Sequence, residues 1–170
     1  MKSRDLALIA IMLAIGAVLY AFIPNLGIIT PDMVVTFAAL AILLVLPKPA
    51  AGFGIGIVAG LLAMFFSKSS IAWFNIPAHA IGALVTAIVA LKVGELKTGK
   101  ISWKPALGAL AYGVVSGGLF ITALLAAGIF PFAVYLAAGW PQVLLSTLAS
   151  IIICLILYTP AKALYDRTGK

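Results

Sequence analysis

Six apolar runs fill most of this chain, and the basic residues between them fall almost entirely on one side of the pattern they define. The runs cover roughly residues 6–23, 31–46, 50–66, 76–92, 105–128 and 140–159, each near the ~17–25 residues that a bilayer helix needs. Counted from a cytoplasmic N-terminus, ten of the eleven Lys and Arg residues fall inside, at the two ends, at Lys48 and in the Lys92 to Lys104 connection. Only Lys68 falls outside. Loops rich in Lys and Arg resist translocation, and a wrong span count would scatter the charges over both faces. The expected fold is therefore an all-α integral membrane protein of the cell membrane, one domain over 1–170, with six transmembrane helices and both termini cytoplasmic.

Composition bears this out independently. With 65% hydrophobic and 9% charged residues and a mean hydropathy of +1.26, the chain carries more apolar surface than a soluble domain of its size can bury. A net charge of +7 would point to nucleic acid in a soluble protein. Here the basic residues flank apolar spans and suit an anionic inner leaflet, so the lipid bilayer is the expected partner and nucleic acid is not. Cys154, alone and mid-span, allows neither an internal disulfide nor a cysteine metal cluster. The N-terminal run behind Lys2 and Arg4 imitates a signal peptide, but it continues to Phe22 without a clear cleavage site and is expected to be the first helix.

Proline punctuates the pattern. Pro31, Pro77, Pro105 and Pro141 are placed in first turns, where a missing N–H costs nothing, Pro24 and Pro47 follow ended spans, and Pro160 is expected to close or kink the last helix. The outer connections run from Pro24 to Thr30, Ser67 to Asn75 and Gly128 to Gly139. They hold little charge but many rings, among them Trp73, Phe74, Phe130 and Phe132, with Tyr20 and Trp140 close by. An interfacial aromatic belt and the walls of an outward-facing site for a flat ligand both account for them.

The first span carries Ala7, Ala10, Ala14, Ala17 and Ala21, spaced three, four, three, four, so methyl groups line one face along its length. Lipid gives no gain for burying Leu against Leu, and close approach through small residues is what brings such helices together. A partner helix is expected there, either within the bundle or from another subunit. Gly56 with Gly60, and Ala109 with Gly113 and Gly117, repeat the motif and are read as internal packing.

The outer half also collects the polar residues with a choice of roles. Asp32, in Thr30-Pro31-Asp32, either answers the positive end of a helix that Thr30 caps or receives a ligand ammonium. Lys68 is a candidate partner for it or for a ligand carboxylate, although a solvated loop lysine is the simpler account. His79, the chain's one histidine, either makes an interhelical hydrogen bond or anchors substrate as a neutral imidazole. Asn75 is a helix cap or a ligand contact, and Gln142 lies at the same depth. Mid-span hydroxyls such as Thr36, Ser116, Ser146, Thr147 and Ser150 are expected to bond their own backbone. A Walker-type loop, a carboxylate pair, a His-Glu metal motif and an activated nucleophile are all missing from the sequence, so no enzyme activity, cofactor or metal is expected. No Asp, Glu, Lys or Arg sits in the middle of a span, where ion-coupled transporters keep their relays, and energy for transport would come from outside the chain.

With six short spans, both ends inside, an alanine-striped first helix and an aromatic outer face, the chain resembles an S component of an energy-coupling-factor (ECF) transporter. The resemblance covers essentially the whole chain, and within the family it is closest to the tryptophan-transporter group, through Ala14-Ile15-Gly16-Ala17-Val18-Leu19 with Ile23-Pro24, Thr30-Pro31-Asp32-Met33 and Asn75-Ile76-Pro77. Ala80, Ile81 and Gly82 stand where members of that group often have a polar or acidic residue. The resemblance implies that Ala10 and Ala14, continued by Ala17 and Ala21, dock a transmembrane coupling subunit that works with two ATPases. It also implies that substrate is captured from outside among loops 1, 3 and 5 and the fourth to sixth helices. The function expected is capture of a small aromatic metabolite, tryptophan foremost: Trp73, Phe74, Phe132 and Trp140 would stack on it, Asp32 would hold its ammonium, and Asn75, His79 and Gln142 would supply hydrogen bonds. The alternatives are the same kind of subunit for thiamine or riboflavin, and an uncoupled facilitator.

Overall fold

The computed structural model of the protein describes residues 1–22, 31–94, 96–99 and 101–167, and the architecture is all-α. Its helices are α1 (Ser3–Phe22), α2 (Met33–Val45), α3 (Pro49–Phe66), α4 (Asn75–Lys92), α5 (Lys104–Ala126), the single turn α6 (Phe132–Val134) and α7 (Trp140–Arg167). A 3-10 turn at Ala72–Phe74 precedes α4, and the α4–α5 connection carries a two-residue hairpin, β1 (Lys97–Thr98) against β2 (Ile101–Ser102). The expected contacts of Pro24, Thr30, Lys100 and Lys170 lie outside the described residues.

Among the described residues, five helical segments are long and apolar enough to cross a membrane, which makes this a multi-pass helical membrane protein by length and composition. The second expected span is shorter than the sequence pattern implied. At 13 residues, α2 rises only about 20 Å, against a hydrocarbon thickness of about 30 Å. Its boundaries explain this. Asp32 is itself the N-cap, its Oδ1 accepting the Val35 N–H at 2.9 Å, so Pro31 lies outside the helix and the carboxylate is not in the first turn as expected. At the other end Leu46 turns left-handed (φ 51°), bonds back to the Ile42 carbonyl at 2.8 Å, and is followed by Pro47, which cannot continue the ladder. Every residue of α2 from Met33 to Leu44 is buried, and α1, α3, α4, α5 and α7 all pack on it. A helix walled in by protein on all sides has no need to match the bilayer.

Glycine sets the closest approaches. A Cβ on Gly60 would stand 2.6 Å from the Asn75 carbonyl oxygen, and one on Gly56 would collide with the His79 carbonyl, so α3 lies directly on the first turns of α4. Across the bundle, Gly113 faces Thr147, and a Cβ on Gly117 would meet Val143 at 2.9 Å, which joins α5 to α7. Both glycine pairs are internal, as the spacing indicated. The alanine stripe is different: Ala7, Ala10, Ala14 and Ala21 are exposed, and only Ala17 joins the face of α1, with Ile9, Leu13 and Gly16, that packs inward.

Two boundaries depart from expectation near the end of the chain. The segment up to Gly139 is not an open loop, because it is helical from Phe132 and passes through a π-turn at Tyr135–Gly139 into α7. Pro141 supplies a physical reason: its ring crowds the preceding turn, and the wider turn, in which the Trp140 N–H reaches back to the Tyr135 carbonyl, relieves that crowding. Pro160 does not close the last helix, which continues to Arg167. It costs one backbone bond, near the end of the span. The N-terminal end of α1 and the C-terminal end of α7 meet on one face. Arg4 stacks over the Tyr165 ring at 4.1 Å, and Tyr165 donates its hydroxyl proton to Asp5 at 2.7 Å.

Candidate functional site

At the opposite end of the bundle from that clamp, where α1 ends and α2 and α4 begin, lies a cavity of about 410 Å³. This is within the ~300–1,000 Å³ typical of small-molecule sites. Helical phase builds its walls. From α4 come Asn75, Ala78 and His79; from α5 come Gly113, Ser116, Gly117, Phe120, Ile121 and Leu124; and from α7 come Gln142, Val143, Ser146, Thr147 and Ser150. Each set steps by three and one, which is one face of an α-helix. Tyr20, Asp32, Val35, Ser67 and Phe130 complete the wall.

Four of the eight expected ligand residues therefore come together: Asp32, Asn75, His79 and Gln142. The four expected stacking rings do not line the cavity. Trp73 and Phe132 are 60% and 63% exposed. Trp73 meets Phe74 edge-on at 5.5 Å, and Phe132 stacks on Tyr135 at 6.1 Å. Trp140 packs edge-on against Tyr135 and lays the tip of its ring over Gly118, about a quarter turn from the wall-forming face of α7. The rings on the wall are Tyr20, Phe120 and Phe130 instead. Tyr20 and Phe130 are part of the outer aromatic set, but Phe120 carried no separate signal. The small polar residues had one in their spacing: Gly113, Ser116 and Gly117, like Ser146, Thr147 and Ser150, each fall on one helix face.

Polar contacts fix the acidic corner. Asp32 is the one charged side chain among the described wall residues, and Oδ1 is occupied by its capping bond while Oδ2 has no hydrogen-bond partner among the described residues. The Asp32 N–H donates to Ser146 Oγ at 3.3 Å, tying the start of α2 to α7. Thr36 Oγ1 lies 2.8 Å from both the Asp32 carbonyl and Ser150 Oγ, and Ser150 lies 3.1 Å from the Ser146 carbonyl, so two hydroxyl protons serve three acceptors. Ser116 bonds its own backbone at the Tyr112 carbonyl, as expected of a mid-span hydroxyl. Among the described residues no ion pair joins Lys68 to Asp32.

On the α4 side, Asn75 donates from Nδ2 to the Ala72 carbonyl at 2.7 Å, which closes the 3-10 turn and leaves its Oδ1 for other partners. His79 is 3% exposed, and its Nδ1 lies 3.4 Å from the hydroxyl of fully buried Tyr112. Both readings of His79 thus coexist, an interhelical contact on one nitrogen and a place on the cavity wall. Among the described residues no group of three His, Cys, Asp or Glu converges as a metal centre would need. Chemically the cavity combines one carboxylate, one imidazole, two amides and several hydroxyls with three aromatic rings, a set suited to holding a small amphiphilic organic molecule. Comparison with protein-family models, with curated proteins and with solved structures yields no match to the chain.

Proposed function

We propose that the protein is the substrate-capture S component of an ECF-type uptake transporter in the cell membrane, with six membrane-crossing helices, both termini cytoplasmic, and the cavity opening outward. Its ligand is a small aromatic metabolite bearing an ammonium group, tryptophan foremost. The observation that carries this reading is the cavity itself: a 410 Å³ recess whose only charged described side chain is Asp32, set among Tyr20, Phe120 and Phe130. A carboxylate with one oxygen unoccupied and no cation paired with it among the described residues favours a ligand that brings positive charge. Asn75, Gln142 and His79 supply neutral hydrogen bonds for the remaining polar atoms.

Delivery inward requires a partner, and the alanine face of α1 is where the coupling subunit would dock. Its methyl groups are left uncovered by the bundle at Ala7, Ala10, Ala14 and Ala21, and small-residue faces are what helices use to associate in lipid. The two ATPases of the coupling module would supply the energy. A second ligand class is favoured by the same lone carboxylate: a cationic ring compound such as thiamine would neutralise Asp32 without needing a site for a carboxylate of its own.

Titration of the purified full chain with L-tryptophan, thiamine and riboflavin, paired with uptake into vesicles containing the chain alone, tests the proposal. Saturable binding of L-tryptophan without sustained uptake is expected. Uptake by the chain alone would establish a facilitator, and tight binding of thiamine or riboflavin with none of L-tryptophan would move the site to a vitamin.

A further inference from the structure

Tyr112 lies behind the cavity rather than on its wall. It is 0% exposed, and among the described residues its hydroxyl has one polar neighbour, the Nδ1 of His79 at 3.4 Å. The seat of the ring is made by Gly82, where a Cβ would come within 2.8 Å of ring carbon Cδ2. The two rings meet edge to face, with centroids 5.8 Å apart and planes at 75°.

A phenolic hydroxyl has one proton to place, and a buried donor left without an acceptor bears the full cost of its lost hydration. Two arrangements of the pair are available. With hydrogen on Nδ1, the imidazole donates to the phenol oxygen, the phenolic proton is stranded, and Nε2 is left with a bare lone pair. With hydrogen on Nε2, the phenolic proton is accepted by Nδ1, neither of the two facing groups is stranded, and the Nε2–H is left free to donate to a further acceptor. Nε2 itself has no protein partner among the described residues, and His79 lines the cavity although nine-tenths buried.

We infer that Tyr112 donates its phenolic proton to Nδ1 of His79 and so holds the imidazole with hydrogen on Nε2, giving the cavity a fixed donor for an acceptor oxygen of the ligand. The ligand half of this inference rests on the capture role proposed above; the tautomer is a property of the bundle alone. Tyr112 is then a positioning residue. Together with the Asp32 carboxylate, the site selects a molecule that carries both a cationic donor and an oxygen acceptor, as a zwitterionic amino acid does, over an amine lacking the oxygen.

Because the chain contains one histidine, 15N-histidine labelling of the full-length protein in detergent reports this imidazole without assignment. The wild type is expected to show protonated Nε2 and an accepting Nδ1, and Tyr112→Phe is expected to yield a mixture of tautomers. Protonated Nδ1 in the wild type, or spectra unchanged by Tyr112→Phe, would overturn the inference. The ligand half is read with L-tryptophan and tryptamine, which differ by the carboxylate. Tyr112→Phe and His79→Ala are each expected to weaken L-tryptophan by about tenfold, the scale of one buried hydrogen bond, while tryptamine binding stays level. His79→Gln places an amide N–H where Nε2 was; it should restore L-tryptophan binding and make Tyr112→Phe silent. Equal losses for both compounds would overturn the donor role. If neither compound binds the wild type, the capture reading for this ligand fails, and the 15N spectra still decide the tautomer.

Discussion

Asp32 shows how one side chain has atoms for two roles, a helix cap and the ligand contact proposed above. Its Oδ1 caps α2 while Oδ2 has no hydrogen-bond partner among the described residues, so the structural and the proposed ligand-binding accounts use different atoms and do not compete. Asparagine caps a helix about as well as aspartate does, whereas alanine forfeits roughly 1 kcal/mol. Asp32→Asn is accordingly expected to keep the thermal midpoint of the wild type and to weaken L-tryptophan by about tenfold or more through loss of the charge. Asp32→Ala should lose both. Paired unfolding and binding titrations check this, and unchanged affinity in Asp32→Asn would reduce the residue to a cap. Asp32, Asn75, His79 and Gln142 were legible because polar residues are scarce at this depth of an apolar chain. Phe120 was not, since a ring within an apolar span looks the same from either side of a helix.

For the helices, small residues decide which faces close and which stay open. Gly56 and Gly60 bring α3 onto the carbonyls of His79 and Asn75, and Gly113 and Gly117 admit Thr147 and Val143, so the glycines that pack the bundle also fix the cavity walls. The stripe on α1 obeys the same spacing, yet four of its five alanines face outward. Spacing alone could not separate the two cases, because it gives the face and not the neighbour. Ala14→Leu adds bulk to an exposed position and is expected to leave ligand affinity and thermal midpoint within error of the wild type. ATP-driven uptake reconstituted with the coupling subunit should fall at least about tenfold, since close helix contacts in lipid depend on small side chains. Undiminished uptake would show that the stripe is not the docking face. The segment before α7 misled for another reason. Its glycine, proline and aromatic content resembles a connection, but a π-turn accommodates Pro141 and carries the helix back to Phe132.

On the scale of the whole molecule, the cavity and the Arg4–Asp5–Tyr165 clamp occupy opposite ends of the bundle. In the orientation proposed above, the clamp end faces the cytoplasm, as the positive-inside bias implies. Cys154 is buried, so the chain offers a quiet background for single thiols. Trp73→Cys is expected to react with a membrane-impermeant maleimide added outside intact cells and Thr98→Cys only after the membrane is opened, and the reverse pattern would turn the site inward. The sequence by itself determined the class, a helical membrane protein, and the connections in which basic residues accumulate, because hydropathy and basic-residue bias are sums along the chain that no packing detail can cancel. Only the tertiary structure decided that α2 is a short, enclosed core helix, that the wall is made by Tyr20, Phe120 and Phe130 rather than by the exposed tryptophan, and that Tyr112 stands behind His79. Those outcomes depend on the rotation of each helix against its neighbours, which is set by contacts between residues far apart in the chain.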